Sequence, residues 1–187
     1  MPNFTRQAIL DTFGDMLQEM PFDKITVSAI VRRCGVSPNT FYYHFKDIYD
    51  ILDVWLRSRL REYTSVPTSP EEWKNTAKAF LLHCRDEKKL IRHILESRAR
   101  GRMEKFVFGP AEEWSYSVLR QEIGNGNVTD GKLKEIAALL CCVFVGFFLR
   151  FVWNRMEDDI DASVNGLWVI IEGLMESLTE DGGDAAE

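Results

Sequence analysis

The stretch from Thr26 to Lys46, TVSAIVRRCGVSPNTFYYHFK, sets the tightest limits on what this chain can become. Thr26 can accept a hydrogen bond from a free amide at a helix start, and it precedes the short run VSAIVRRC. Gly35 follows as a stop, able to take the positive φ that ends helices. Ser37 can cap again, and Pro38 suits the first turn of a second helix. Start, stop and start within a dozen residues describe two short helices joined by a Gly-containing turn, the helix-turn-helix arrangement. Phe41 and Phe45, four apart, can pin the second helix inward, with Val36 anchoring the turn. Consecutive residues of a helix cannot all face one core, so Pro38, Asn39, Thr40, Tyr42 and Tyr43 fall on or near the outer side.

Helical spacing recurs along the rest of the chain, and no convincing alternation of apolar and polar residues interrupts it. Phe4, Ile9, Phe13, Met16, Leu17 and Met20 are assigned to one face of a first helix, broken at Pro21. Asp47 caps a fourth, IYDILDVWLRSRLREY, whose apolar face is Ile48, Ile51, Leu52, Trp55, Leu56 and Leu60. TSVPTSPEE (64–72) reads as a break between domains, and Ser69, Pro70 and Glu72 as the start of a fifth helix reaching about Asp86. A sixth covers about 88–98, SRARGRMEK reads as a loop or helix end, and another helix begins at Pro110. GNGNVTDG is a turn. Two long helices follow, at about 130–156 and 161–179, before the polar tail EDGGDAAE. The expected fold class is all-α, about nine helices: a helix-turn-helix domain over 1–46, a connecting helix over 47–66, a ligand-binding and dimerisation domain over 67–180, and a disordered tail over 181–187.

The run IAALLCCVFVGFFL (136–149) carries no charge. A membrane span needs roughly 20 apolar residues, so a buried helix is the expectation, and no membrane partner is predicted. Such a helix must be covered on all sides, by its own domain and by a second subunit. Gly166 and Gly173, seven apart, would let helices approach closely. Phe147, Phe151, Gly166, Trp168, Ile170 and Gly173 are therefore assigned to a homodimer interface built as a two-fold four-helix arrangement. Phe80, His83, Cys84, Met103, Phe106, Trp114, Phe144 and Phe148 are candidates to line an apolar effector cavity.

The start MPNFTRQAIL lacks an apolar leader pattern, and a cytoplasmic location is expected. Cys34, Cys84, Cys141 and Cys142 match no zinc-ligand spacing, so neither metal nor cofactor is predicted. No phosphate-binding glycine loop or paired catalytic acids appear, which argues against an enzyme. The net charge of −6 at first argues against a nucleic-acid partner, but its distribution removes that objection. Residues 1–63 carry 8 Lys/Arg and 8 Asp/Glu, residues 64–105 net +4, and residues 106–187 net −10. The acid lies in the C-terminal part, away from the helix-turn-helix. RDEKKLIRHILESRARGRMEK is basic and reads as a solvated helical face.

ITVSAIVRRCGVSPNTFYYHFKDIYDIL resembles the N-terminal domain of the TetR/AcrR family of bacterial regulators. FYYHFKDIYDIL is also similar to the branch of dihydroxyacetone-kinase operon activators. The resemblance implies a homodimer that binds a palindromic double-stranded operator, with a C-terminal domain that answers to a small-molecule effector and most often represses. It implies that Thr26 and Ser28 meet the backbone or a nearby base. Pro38, Asn39, Thr40 and Tyr42 would face bases and adjoining phosphates, Tyr43, His44 and Lys46 would hold the backbone, and Ser37 is counted among the DNA-binding residues. Asn39 stands where many members carry glycine, and Ile48 where many carry a phosphate-binding lysine. With few basic residues in the head, moderate affinity and a shallow salt slope are expected. A DNA-binding structural or division-control protein without a ligand is the alternative on the same scaffold.

Overall fold

The computed structural model describes residues 2–63, 69–123 and 128–180. Residues 64–68 of the expected break, 124–127 of the expected turn and the expected tail at 181–187 lie outside the described residues. Among the described residues all regular structure is helical. The helices are α1 (Pro2–Glu19), α2 (Val27–Cys34), α3 (Pro38–His44), α4 (Ile48–Leu60), α5 (Pro70–Asp86), α6 (Lys88–Leu95), α7 (Arg100–Ile123), α8 (Asp130–Trp153) and α9 (Ile160–Glu180).

The local start and stop signals act as their chemistry requires. Thr26 Oγ1 accepts from Ala29 N at 3.2 Å and Ser37 Oγ from Thr40 N at 3.1 Å. Asp47 Oδ1 accepts from Tyr49 N and Asp50 N at 2.7 and 2.8 Å, and Ser69 Oγ from Glu72 N at 3.2 Å. These bonds serve amides exposed at a helix start, and Ala29 N is shared with Thr26 O at 3.0 Å. Gly35 takes φ 72°, ψ 25°, closing α2 in the left-handed conformation.

Packing divides the chain into two units: residues 1–62 with 87–106, and residues 63–86 with 107–187. The basic segment after Asp86 therefore groups with the N-terminal helices rather than with the C-terminal part. In this first unit Ile9, Phe13, Leu17, Ile30, Phe41, Ile51, Leu52 and Ile94 are fully buried. Trp55 of α4 lies so close to Gly14 of α1 that a Cβ there would stand 2.6 Å from its Nε1. Phe4 does not join this core; it is 83% exposed. Five residues separate it from Ile9, which puts it about 140° around the helix, on the stripe shared with exposed Gln7 and Asp11.

Polar contacts tie 87–106 down, among them an ion pair of Arg59 Nη2 with Glu87 Oε1 at 3.7 Å. Gln18 Nε2 donates to Glu87 Oε2 at 2.5 Å, and His93 Nδ1 donates to Leu17 O at 2.7 Å. Arg98 N donates to Asp23 Oδ1 at 3.2 Å, and Arg102 Nη1 to Asp53 Oδ2 at 2.6 Å.

The second unit is a helical body with one large ring from each of four helices. Trp73 of α5 contacts Trp114 of α7, Phe144 of α8 and Trp168 of α9, with centroids 6.0, 5.9 and 5.3 Å away. Helix α8 is long and apolar enough to cross a membrane by composition. In this fold Leu133, Ile136, Ala137, Leu140, Cys141, Val145, Phe148 and Phe151 are buried within the protein, while Leu139, Cys142 and Val143 are exposed. Helix α7 differs from expectation. It begins at Arg100, so SRARGRMEK is mostly its first two turns, and it runs through Gly109 and Pro110. A proline forfeits one backbone bond, and buried Ala99 and Met103 before it and Ser115, Val118 and Leu119 after it hold helix on both sides.

Candidate nucleic-acid interface

The recognition surface is built from the inside outward. Phe41, 0% exposed, and Phe45, 1%, seat α3 in the first unit, with ring centroids 5.6 Å apart. Arg6 of α1 sets its guanidinium 5.4 Å from the Phe45 ring centroid and so covers the C-terminal end of α3. With that face fixed, the helical twist throws the intervening residues outward. Pro38 and Asn39 are exposed, Tyr42 is 58% exposed and Tyr43 77%. Tyr42 sets an edge on Phe41 at 5.5 Å and Tyr43 on His44 at 4.9 Å.

The other candidates divide by what already holds them. Thr26, Ser28, Ser37 and Lys46 are exposed, and Thr40 and His44 are half-buried. Ser37 Oγ spends its bonding on the Thr40 amide and on Thr40 Oγ1 at 2.8 Å, so it orders the start of α3. Thr26 does the same for α2. Lys46 N donates to Asp50 Oδ2 at 2.9 Å, which laces the chain after α3 to α4 and leaves the ammonium outside. The outward set thus offers an amide, two phenols, a hydroxyl at Ser28 and one ammonium, all donors or acceptors suited to base edges and phosphates.

Charge follows the packing. Residues 1–62 carry eight basic and eight acidic side chains and 87–106 carry seven and three, so the first unit is net +4. The neutral head expected from sequence omitted this segment, because nothing in local spacing shows that α6 docks on α1.

A model of the family "Bacterial regulatory proteins, tetR family" matches residues 9–54, from within α1 to within α4. The match covers about a quarter of the chain, and over it the sequence is similar to the TetR family's N-terminal domain. The chain is 29% identical over 100 residues to tetracycline repressor protein class D of Escherichia coli and, equally, to class H of Photobacterium damsela subsp. piscicida. Each match covers 48% of this chain and 45% of the relative, so the chain spans about half the length of the tetracycline repressors it matches. Among solved structures, dihydroxyacetone kinase operon activator DhaS superposes with a TM-score of 0.63 at 17% identity, covering 94% of this chain and 96% of that one. NalD of Pseudomonas aeruginosa, the secondary repressor of the MexAB-OprM efflux pump, gives 0.60 at 16%, covering 89% and 94%. SmeT in complex with triclosan gives 0.60 at 16%, covering 89% and 90%. At these identities the likeness is one of fold, and it covers most of the chain.

The C-terminal candidates are placed as follows. Phe80 meets Phe148 at 5.6 Å, Trp114 meets Phe144 at 5.3 Å, and Tyr63 meets both Phe80 and His83. Cys84 and Phe148 are buried; Phe80, His83, Trp114 and Phe144 are half-buried. Met103 and Phe106 belong to the first unit, not to this body. Of the interface candidates, Gly166, Ile170 and Gly173 are exposed and Phe147 is half-buried. Phe151, 1% exposed, and Trp168, 7%, are spent on the protein's own core and have no side-chain surface to offer a partner. Exposed Arg150 and Val169 directly neighbour them in sequence, about 100° around the helix, a difference in phase that a uniformly apolar segment cannot reveal.

Proposed function

We propose that this protein is a homodimeric, cytoplasmic transcriptional regulator, acting as a repressor, that reads a near-palindromic operator with α3 and answers to a small-molecule effector. The observation that carries the reading is the outward row Pro38, Asn39, Tyr42 and Tyr43, held on a helix that Phe41 and Phe45 bury. An exposed asparagine can bond an adenine edge in bidentate fashion, and proline or threonine can touch a thymine methyl. Tyr43, His44, Lys46 and the first turn of α2 with Thr26 and Ser28 then serve the sugar-phosphate backbone.

Dimerisation is supported by apolar surface on α8 and α9 that the chain leaves uncovered: Leu139, Val143, Val169 and Ile170, the last two flanked by exposed Gly166 and Gly173. Two recognition helices related by a two-fold axis would lie about 34–36 Å apart, one turn of DNA. The half-buried rings Phe80, Trp114 and Phe144 with His83 suit an apolar effector carrying few polar groups. SmeT, of the same fold, is solved with one such molecule.

Selection of bound duplexes from a random pool tests the reading. The expected product is an inverted repeat with half-sites centred about 10 base pairs apart, or a little more. Recovery of unrelated sequences, bound no better than bulk genomic fragments, would refute it.

A further inference from the structure

Arg102, in the first turn of α7, makes two contacts with one face of α4. Its Nη1 lies 2.6 Å from Asp53 Oδ2, and its guanidinium carbon stands 4.9 Å from the ring centroid of Tyr49. Tyr49 and Asp53 are four apart, so both contacts fall on a single stripe. The opposite side of α4 is fixed by Ile51, Leu52 and Trp55, the last pressed against Gly14 of α1. At its N-terminus α4 is fastened to the residues that leave α3: Asp47 caps it through Tyr49 N and Asp50 N, and Asp50 Oδ2 accepts from Lys46 N. A chain of contacts therefore runs from Arg102 through Tyr49 and Asp53 to the end of the recognition helix. Tyr49 also rests on Phe22, 5.4 Å away, which fixes the ring under the guanidinium. The remaining residues of α7 from Val107 onward belong to the other unit.

We propose that Arg102 is a positioning residue for DNA binding: it sets the placement of α4, and through Asp47 and Asp50 that of α3, without touching DNA. The proposal rests on the reading that α3 meets the duplex. It assigns a purpose to a basic segment whose sequence favoured a solvated face over an anionic effector or a protein partner. The ion pair is about half exposed, so the effect is modest, on the order of fivefold in affinity.

The test uses the full chain and the tightest duplex from the random-pool selection, with a scrambled duplex beside it. Arg102→Ala and Asp53→Asn should each weaken the selected duplex about fivefold, leave the scrambled duplex unchanged, and leave the slope of log K against log salt unchanged. The charge-reversed double variant, Arg102→Asp with Asp53→Arg, should recover most of the loss. Arg102→Lys, which keeps the charge but not the planar seat on Tyr49, should fall between. Full affinity in both single variants overturns the proposal. So does a salt slope reduced by about one unit, which marks a direct phosphate contact. Equal losses on both duplexes, or a loss that matches the unfolded fraction in a thermal melt, overturn it as well. If the unaltered chain prefers no duplex, the reading of α3 fails instead, and the two failures are told apart.

Discussion

Asn39 occupies the second position of α3, exposed, between a proline that fixes the helix start and a threonine already bonded to Ser37. Its amide is the side chain of this row best able to satisfy two groups on one base edge at once. Asn39→Ala is expected to cost about 1–3 kcal/mol at a single operator position and little elsewhere. Fluorescence anisotropy on duplexes varied one base pair at a time checks this, and a loss spread evenly over all positions would make Asn39 a backbone contact. The caps and the glycine stop were legible in the sequence because their chemistry is local: Thr26, Gly35, Ser37 and Asp47 act on amides and carbonyls within a few residues. Phe4 was misread for the complementary reason. Hydrophobicity alone placed it inward, although its phase relative to Ile9 points to solvent. Asp53 and Arg102, 49 residues apart, carry no local signal at all.

Among the helices, the close approach of α1 to α4 depends on the missing side chain at Gly14. A methyl group there would collide with the indole of Trp55. Gly14→Ala should destabilise the first unit by about 1–3 kcal/mol, seen as a lower urea midpoint together with a shifted tryptophan emission. An unchanged midpoint would show that α4 can slide at no cost. A second prediction concerns the α7–α8 pair. The carboxyl of Asp130 is held below the ordinary aspartate value, first by its bond to Lys134, then by the Tyr116 hydroxyl, with Arg120 adding attraction. A carboxylate whose folded-state pKa is depressed contributes in full above the unfolded value and loses that contribution as pH falls through the folded one. Acid should therefore weaken the wild-type chain more than Asp130→Asn across the window just below the ordinary aspartate value. Parallel urea midpoints for the two proteins in that window would contradict it. Helix existence and type were readable from caps and periodicity. The start of α7 was not, because the Gly109–Pro110 pair mimics a boundary that buried residues on both sides override.

For the whole molecule, the uncovered apolar surface of α8 and α9 sets the quaternary expectation. Ile170 is 59% exposed between Gly166 and Gly173, and a charge there would have to be buried in any pairing of these helices. If the proposed dimer forms through this surface, Ile170→Asp should give a folded monomer in sedimentation equilibrium where the unaltered chain is dimeric. A variant that stays dimeric would move the interface elsewhere. The 64–72 break suggested a division of the chain, and packing does divide it into two units. The composition of those units was not legible, since the periodicity of α6 describes an apolar face but not the neighbour that covers it. Leu90, Ile91 and Ile94 find that cover on the N-terminal helices.

That discontinuous first unit bears on how the protein is made. Nascent chains emerge at roughly 5–20 residues per second, and domains commonly fold as they emerge. Here the helices up to residue 62 leave the ribosome several seconds before the residues 87–106 that complete them. A nascent head would meanwhile expose the apolar groove meant for Leu90 and Ile94, a ready substrate for chaperones during synthesis.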